Sequence, residues 1–293
     1  MGSLPTHDLI VGDFGRRATL RYLAAFSDAE RRILEQRLAG QPFFDEYRTV
    51  RYTVLGLLPD LKAEELATYA RAGRALDSGI LVGVGGGLTA AEMGRRISEA
   101  LAPWIETIRG TAVARVRVII PCNSLCEAGK VLRNAVATGP GNVPPGEESP
   151  PHDRPAGEPP IEVFTVPEVV TAVLARDPPP YLALFATPAA FRAYEKEFAS
   201  RDLATRLRLS RRSREDVSLE RLMAAVRGRK PGARPAATGD LLCACTDVQI
   251  PGALDALEIF ASFLARDAYC EAALAGSAPT PFPGEAAASD LGR

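Results

Sequence analysis

Apolar and polar positions along this chain switch repeatedly between short apolar runs and helical spacing, an alternation that predicts parallel sheets covered by helices. Residues 8–11 read as a short strand entering the turn Gly12-Asp13-Phe14-Gly15, with a helix from about Arg17. The charged amphipathic stretch 28–38 reads as a further helix, with Ser27 and Glu30 as its capping box. Strands are expected at 49–55 and 79–84, separated by the helical stretch LKAEELATYARAGRAL. Helical spacing returns over 89–108, and 113–120 is a strand that runs into Cys122. The segment GPGNVPPGEESPPHDRPAGEPP, at 139–160, is too rich in proline and glycine for either element and reads as a surface loop or hinge. Beyond it, 161–166 and 181–185 read as strands with a helix between them, and 189–199 as a helix. The arginine-rich stretch 201–234 is interleaved with acidic residues and lacks the stacking aromatics of a nucleic-acid face, so it reads as a solvated helical surface. The tail after Gly276 is expected to be disordered.

Length and composition then narrow the class. With 293 residues, of which 46% are hydrophobic, the chain can bury one large or two medium cores. A formal charge of -1 gives no pull toward nucleic acid or membrane. No apolar run approaches the length of a membrane span, and the start lacks the charged and apolar regions of a signal peptide, so a cytoplasmic location is the default expectation. The five cysteines have uneven spacing, which suits a reducing compartment better than a disulfide framework.

Two of those cysteines occupy matching places. VRVIIPCNSLCEAGKVLRNAV sets Cys122 after a strand and before a helix; DLLCACTDVQ sets Cys245 after an apolar run, with an amphipathic helix downstream. A single cysteine in such a place is most often a small buried hydrophobe. Delivered by a strand to a helix N-terminus, a thiol instead meets N–H groups and a dipole that favour its thiolate. Two such units facing one cleft could hold a thiolate and a thiol on opposite faces of a carbon. The histidines, His7 and His152, sit near the start and in the proline-rich segment, so imidazole acid-base chemistry has no clear candidate. A zinc site built from Cys122, Cys126, Cys243 and Cys245 is the rival reading. The first pair has suitable spacing, but Cys243-Ala244-Cys245 is tighter than a zinc knuckle. Cys126 and Cys243 read as packing residues, and Cys270 as an ordinary helical cysteine. The run Gly83-Val84-Gly85-Gly86-Gly87 lacks the Lys-Ser/Thr pair of a P-loop and the spacing of a dinucleotide turn, and reads as a flexible loop.

Four short motifs in order resemble the cofactor-independent aspartate/glutamate racemase superfamily, aspartate racemases most closely. Pro121-Cys122-Asn123-Ser124 is similar to the family's P-C-N-T, and Ala244-Cys245-Thr246-Asp247 to its G-C-T-E. The turn from Gly12 to Thr19 resembles G-G-M-G-P-x-A-T, and LFATPAAFRAYEKEF the family's L-L-A-T strand end and following helix. The resemblance implies two flavodoxin-like α/β lobes related by a pseudo-two-fold axis, with the active site between them. It implies that Cys122 and Cys245 act as acid and base at an α-carbon, with no cofactor and no metal. Gly12, Asp13, Phe14, Asn123, Ser124, Thr187 and Thr246 would then bind a small-molecule carboxylate substrate.

Two departures bear on the substrate. The family's P-D-R loop meets only Pro59-Asp60-Leu61 here, and the position of its side-chain-binding lysine is best matched by Arg227. Arg95 or Arg96 is the alternative source of positive charge. On this reading 1–138 form the first lobe, 139–160 the hinge and 161–252 the second lobe. Residues 253–275 form a helix packing back on the first lobe, and 276–293 the tail. No nucleic-acid or membrane partner is implied, and a homodimer is the candidate assembly. Alternatives within the superfamily are a decarboxylase or a cis-trans isomerase. Outside catalysis, the alternative is a zinc- or ligand-binding homologue.

Overall fold

The computed structural model describes residues 5–12, 16–37, 50–56, 90–138, 159–203, 208–213 and 240–274. In chain order these form β1 (Thr6–Val11), α1 (Arg16–Arg37), β2 (Arg51–Leu55), α2 (Ala90–Arg109) and β3 (Arg115–Ile120). A 3-10 turn (Asn123–Leu125), α3 (Cys126–Thr138), β4 (Ile161–Thr165), α4 (Val166–Arg176), β5 (Tyr181–Ala186) and α5 (Pro188–Ser200) come next. The last elements are β6 (Arg208–Ser213), β7 (Asp240–Cys243), β8 (Leu254–Asp255) and α6 (Ala256–Leu274). Two four-stranded sheets result, ordered β2-β1-β3-β4 and β6-β5-β7-β8, with every pairing parallel. In both, the strand that comes first in sequence lies inside, the second forms one edge, and the third and fourth lie on the other side. This is the start of a flavodoxin-like order, and the α/β class read from the sequence is the one observed.

Parallel strands buried on both faces need apolar residues at successive positions. In β5, Leu182, Leu184 and Ala186 face one core while Phe185 faces another; in β7, Leu242 joins the first and Leu241 and Cys243 the second. Ile10 and Ile119 of the first sheet share the Leu182–Leu184–Leu242 core, together with side chains of α1, α4, α5 and α6. The two sheets are therefore joined through one apolar layer. The opposite face of the first sheet packs Leu9, Val11, Val118 and Ile120 against α2 and α3. Gly129 lets α3 approach this sheet, because a Cβ there would lie 2.6 Å from Thr165 Cγ2.

A charged layer runs through the apolar stack. Fully buried Arg117 donates from Nε and Nη2 to the two Asp8 oxygens at 2.7 and 2.8 Å, and from Nη1 to Leu264 O at 2.7 Å and Asp267 at 3.0 Å. Arg115 reaches the same Asp267 oxygen at 2.7 Å. These contacts tie α6, the last described element, to the first sheet. Burial pushes the Asp8 carboxyl upward, with Arg117 opposing it.

Several expectations are corrected. Residues 161–165 do not open the second lobe: β4 pairs with β3, Val116 opposite Ile161 through Ile120 opposite Thr165, so the second sheet begins with β5. Helices expected separately from Arg17 and over 28–38 are one helix, α1, since nothing between them breaks the backbone. Ser27 and Glu30 therefore lie mid-helix rather than capping it, and Glu30 accepts a short hydrogen bond from Tyr269 Oη. Part of the arginine-rich stretch, expected to be helical, is the edge strand β6, because β5 supplies its backbone partners from Tyr181 opposite Arg208 to Ala186 opposite Ser213. The expected helix at 61–76, strand at 79–84, segment 139–158 and tail 276–293 lie outside the described residues. Among the described residues, no helix is long and apolar enough to cross a membrane.

Candidate active site

The sequence-predicted residues that are described gather at the C-terminal ends of β1, β3, β5 and β7, where open α/β sheets place their ligands. After β3 the chain passes Pro121 and reaches half-buried Cys122 in extended conformation (φ -113°, ψ 123°), at the N-cap of the 3-10 turn that leads into α3. Leu125 N donates to Cys122 O at 3.2 Å and closes that turn. After β7 the chain continues in register, with Ala244 N donating to Phe185 O at 2.8 Å, and reaches Cys245, 3% exposed. The Cys245 thiol lies 3.9 Å from the same Phe185 carbonyl.

The backbone downstream of the second thiol differs from expectation. Cys245 leads into a turn closed by Val248 N on Cys245 O at 3.1 Å, and α6 begins only at Ala256. Pro251 lacks the N–H that an earlier helix would need, and Leu254 and Asp255 are drawn into β8 beside β7. A helix N-terminus directly after the thiol thus holds for Cys122 and not for Cys245.

Buried Asn123, next to Cys122 in the chain, donates from Nδ2 to the carbonyl of Ala244, which precedes Cys245, in a short hydrogen bond. Residues 121 positions apart are thereby joined, and the loops that carry Cys122 and Cys245 are in contact. The carbonyl can only accept, which fixes the amide orientation and leaves Asn123 Oδ1 buried with no hydrogen-bond partner among the described residues.

Thr187, at the end of β5, is the N-cap of α5, its hydroxyl accepting from Ala190 N at 3.4 Å. Buried Thr246 comes directly after Cys245. Gly12 comes directly after β1, where a Cβ would lie 3.1 Å from Val54 Cγ1, and its N–H is taken by Leu55 O at 2.9 Å, so that amide is not available to an anion. Ser124 lies in the 3-10 turn. Asp13, Phe14 and Arg227 lie outside the described residues. Arg95 and Arg96 sit on α2 and are paired with Glu92 at 2.7 and 2.8 Å, Arg95 with Glu99 as well.

The remaining described thiols are neutral packing groups. Burial, reinforced by Glu127 and Cys122, pushes Cys126 up to about 12, and burial with Cys245 and Asp255 does the same for Cys243. Cys243 donates to Val248 O at 3.3 Å. Among the described residues no group of three or more His, Cys, Asp or Glu side chains gathers to hold a metal. His7 lies at the opposite end of β1 from Gly12, its Nε2 3.0 Å from Thr53 Oγ1.

Two sets of contacts join elements beside the first sheet to elements beside the second. Helix α3, downstream of Cys122, exchanges ion pairs with α5, downstream of Thr187: Lys130 with Glu197 and Lys196 with Glu127, both at 3.0 Å. Arg21 of α1 reaches across to the carbonyls of Thr246 and Val248 and to Asp255. The sequence reading missed both Arg21 and Asp255. Asp255, with Glu258 three residues on, was visible as an N-cap signature; nothing local distinguishes Arg21 from the other arginines of α1.

The structure thus defines an α/β protein with two parallel sheets, in which the loops carrying Cys122 and Cys245 touch through the hydrogen bond from Asn123 to Ala244. No protein-family model matches the chain, and no curated protein matches it in sequence. Solved structures similar to it include the aspartate racemase of Picrophilus torridus, at 12% identity and a TM-score of 0.49, covering 90% of this chain and 94% of that one. An aspartate racemase homologue from Pyrococcus horikoshii OT3 gives 8% identity and a TM-score of 0.47, covering 90% and 99%. The glutamate racemase of Francisella tularensis in complex with D-glutamate gives 10% identity and a TM-score of 0.36, covering 94% and 84%.

Proposed function

We propose that this chain is a cofactor-independent racemase or epimerase, of the aspartate/glutamate racemase type, in which Cys122 and Cys245 move the α-proton of an amino acid. The observation that supports the reading is the hydrogen bond from Asn123 to Ala244, a contact between the residue after Cys122 and the residue before Cys245. Acting as thiolate, one cysteine takes the proton from the α-carbon and becomes a thiol. The electron pair left on carbon is delocalised into the substrate carboxylate, and the other cysteine, as thiol, returns a proton to the opposite face. The enzyme ends with the two protonation states exchanged, ready for the reverse direction. Hydroxyls of Thr187 and Thr246 would hold the carboxylate.

The unpartnered Asn123 Oδ1 favours an amino acid over the superfamily's other substrates. A buried acceptor without a donor is costly, and a substrate ammonium supplies that donor where a malonate or maleate does not.

Incubation with L- and D-amino acids in deuterated water tests the reading. Deuterium entering the α-position of at least one amino acid, from both enantiomers, is the expected result. No exchange across a broad panel, or release of carbon dioxide from a malonate, or conversion of maleate to fumarate, would overturn it.

A further inference from the structure

Cys245 is flanked by two side chains from the other half of the protein. Asn123 holds the carbonyl before it, and Arg21 holds the carbonyl after it. Arg21 Nη1 donates to Thr246 O at 2.9 Å and to Val248 O at 2.7 Å, and Nη2 forms a short ion pair with Asp255. The pair is largely shielded from solvent, with side-chain exposures of 18% and 4%. The other Asp255 oxygen accepts from Leu257 N at 2.9 Å and Glu258 N at 3.3 Å. One carboxylate therefore caps α6 and anchors the guanidinium, fixing the fork before it meets the loop. The turn also carries ties of its own, among them Val248 N on Cys245 O and the Cys243 thiol on Val248 O.

We propose that Arg21 is a positioning residue for Cys245, its Asp255-anchored guanidinium clamping the loop 245–248 against the first half of the protein. A planar fork with several donors can satisfy two carbonyls and a carboxylate at once. A lysine, with one shorter-reaching nitrogen, cannot span the three. Hydrogen bonds from a charged donor are stronger than neutral ones, so removing the fork frees the loop locally while leaving β7 and its pairing with β5 intact. The consequence for turnover rests on the racemase reading above; the effect on the thiol does not.

The test is the alkylation of each cysteine by iodoacetamide in the full chain, tracked peptide by peptide in mass spectrometry. Because Cys245 is almost fully buried, it reacts through local opening of its loop. Arg21→Met is expected to speed its alkylation by at least about tenfold, with Cys126 unchanged. Arg21→Lys should be faster than wild type as well, and Asp255→Asn, which keeps an oxygen to cap α6 but loosens the anchor, should fall between. In Arg21→Ala, added ethylguanidinium should restore the slow rate at Cys245, a rescue that general loosening of the fold does not allow. An unchanged Cys245 rate in these variants, a parallel rise at Cys126, or no rescue would overturn the assignment. Should Arg21→Met fail to fold, Arg21→Lys and Asp255→Asn carry the same comparison. If wild type shows no deuterium exchange while Cys245 responds as described, the racemase reading fails and the clamp stands.

Discussion

Replacing Arg117 by methionine probes what ties the C-terminal helix to the first sheet. Arg117 has no exposed side-chain surface and Asp8 is 2% exposed, so the substitution leaves a carboxylate buried with both of its hydrogen bonds from Arg117 removed. Asp267 keeps Arg115 at 2.7 Å, so the stranded charge is mainly that of Asp8. Breaking a buried pair from one side costs about 3–5 kcal/mol. At roughly 2–4 °C per kcal/mol for a domain approaching this size, the melting temperature should fall by about 6–20 °C. Replacing both partners, Asp8→Leu with Arg117→Met, removes the stranded charge and should recover most of that loss. The pH dependence has a definite sign. Burial already raises Asp8, and losing Arg117 raises it further, so the penalty is full where Asp8 must ionise and fades as pH falls through its raised folded value. Urea unfolding of wild type, both single variants and the double variant at two pH values would measure the cycle. A loss under about 1 kcal/mol for Arg117→Met, or a double variant showing the sum of the single losses, would refute the reasoning.

Other outcomes concern the site itself. Cys122→Ser and Cys245→Ser should each abolish racemisation measured by chiral chromatography, because each direction needs one thiolate and one thiol. Cys126→Ser and Cys243→Ser should keep turnover, since burial holds both thiols up at about 12 and outside the chemistry. Asn123→Asp retains the shape but loses the donor to Ala244 and sets a carboxylate against that carbonyl; α-deuterium exchange should fall by more than about tenfold. Burial works against the charge of Glu168, but hydrogen bonds from Arg133 and Thr165 outweigh it and hold the carboxyl below its usual 4.5. That stabilisation is complete above pH 4.5 and lost as pH falls through the lower folded value, so Glu168→Gln should flatten the acid limb of a stability profile measured by urea titration.

What the sequence determined by itself is the local grammar. Apolar runs at 113–120, 161–166 and 181–185 read as strands, and the turns after the first and third carried Cys122 and Thr187, as the apolar run of DLLCACTDVQ carried Cys245, because strand ends are where side chains can be presented to a cleft. The tertiary structure decided which strand joined which sheet. Ile161–Thr165 comes after a proline-rich break and looked like the start of a new unit, yet its partner is β3, a choice made by pairing across 45 positions of sequence (Val116 with Ile161) rather than by any local signal. The polar stretch RLSRRS became a strand for the same reason: β5 offered it an edge. Conversely, no feature of Ser27 or Glu30 revealed that α1 would run straight through them to meet α6. The site divides in the same way. The two candidate cysteines were legible as residue types in matched contexts, but the Asn123 bridge, the orphan oxygen it leaves and the Arg21–Asp255 contact arise only when α1, the Cys122 loop and the Cys245 loop meet. Hydrogen bonds across 121 and 225 positions leave no periodic trace in the sequence, because their geometry is fixed by the packing of the shared core and not by the neighbours of either residue.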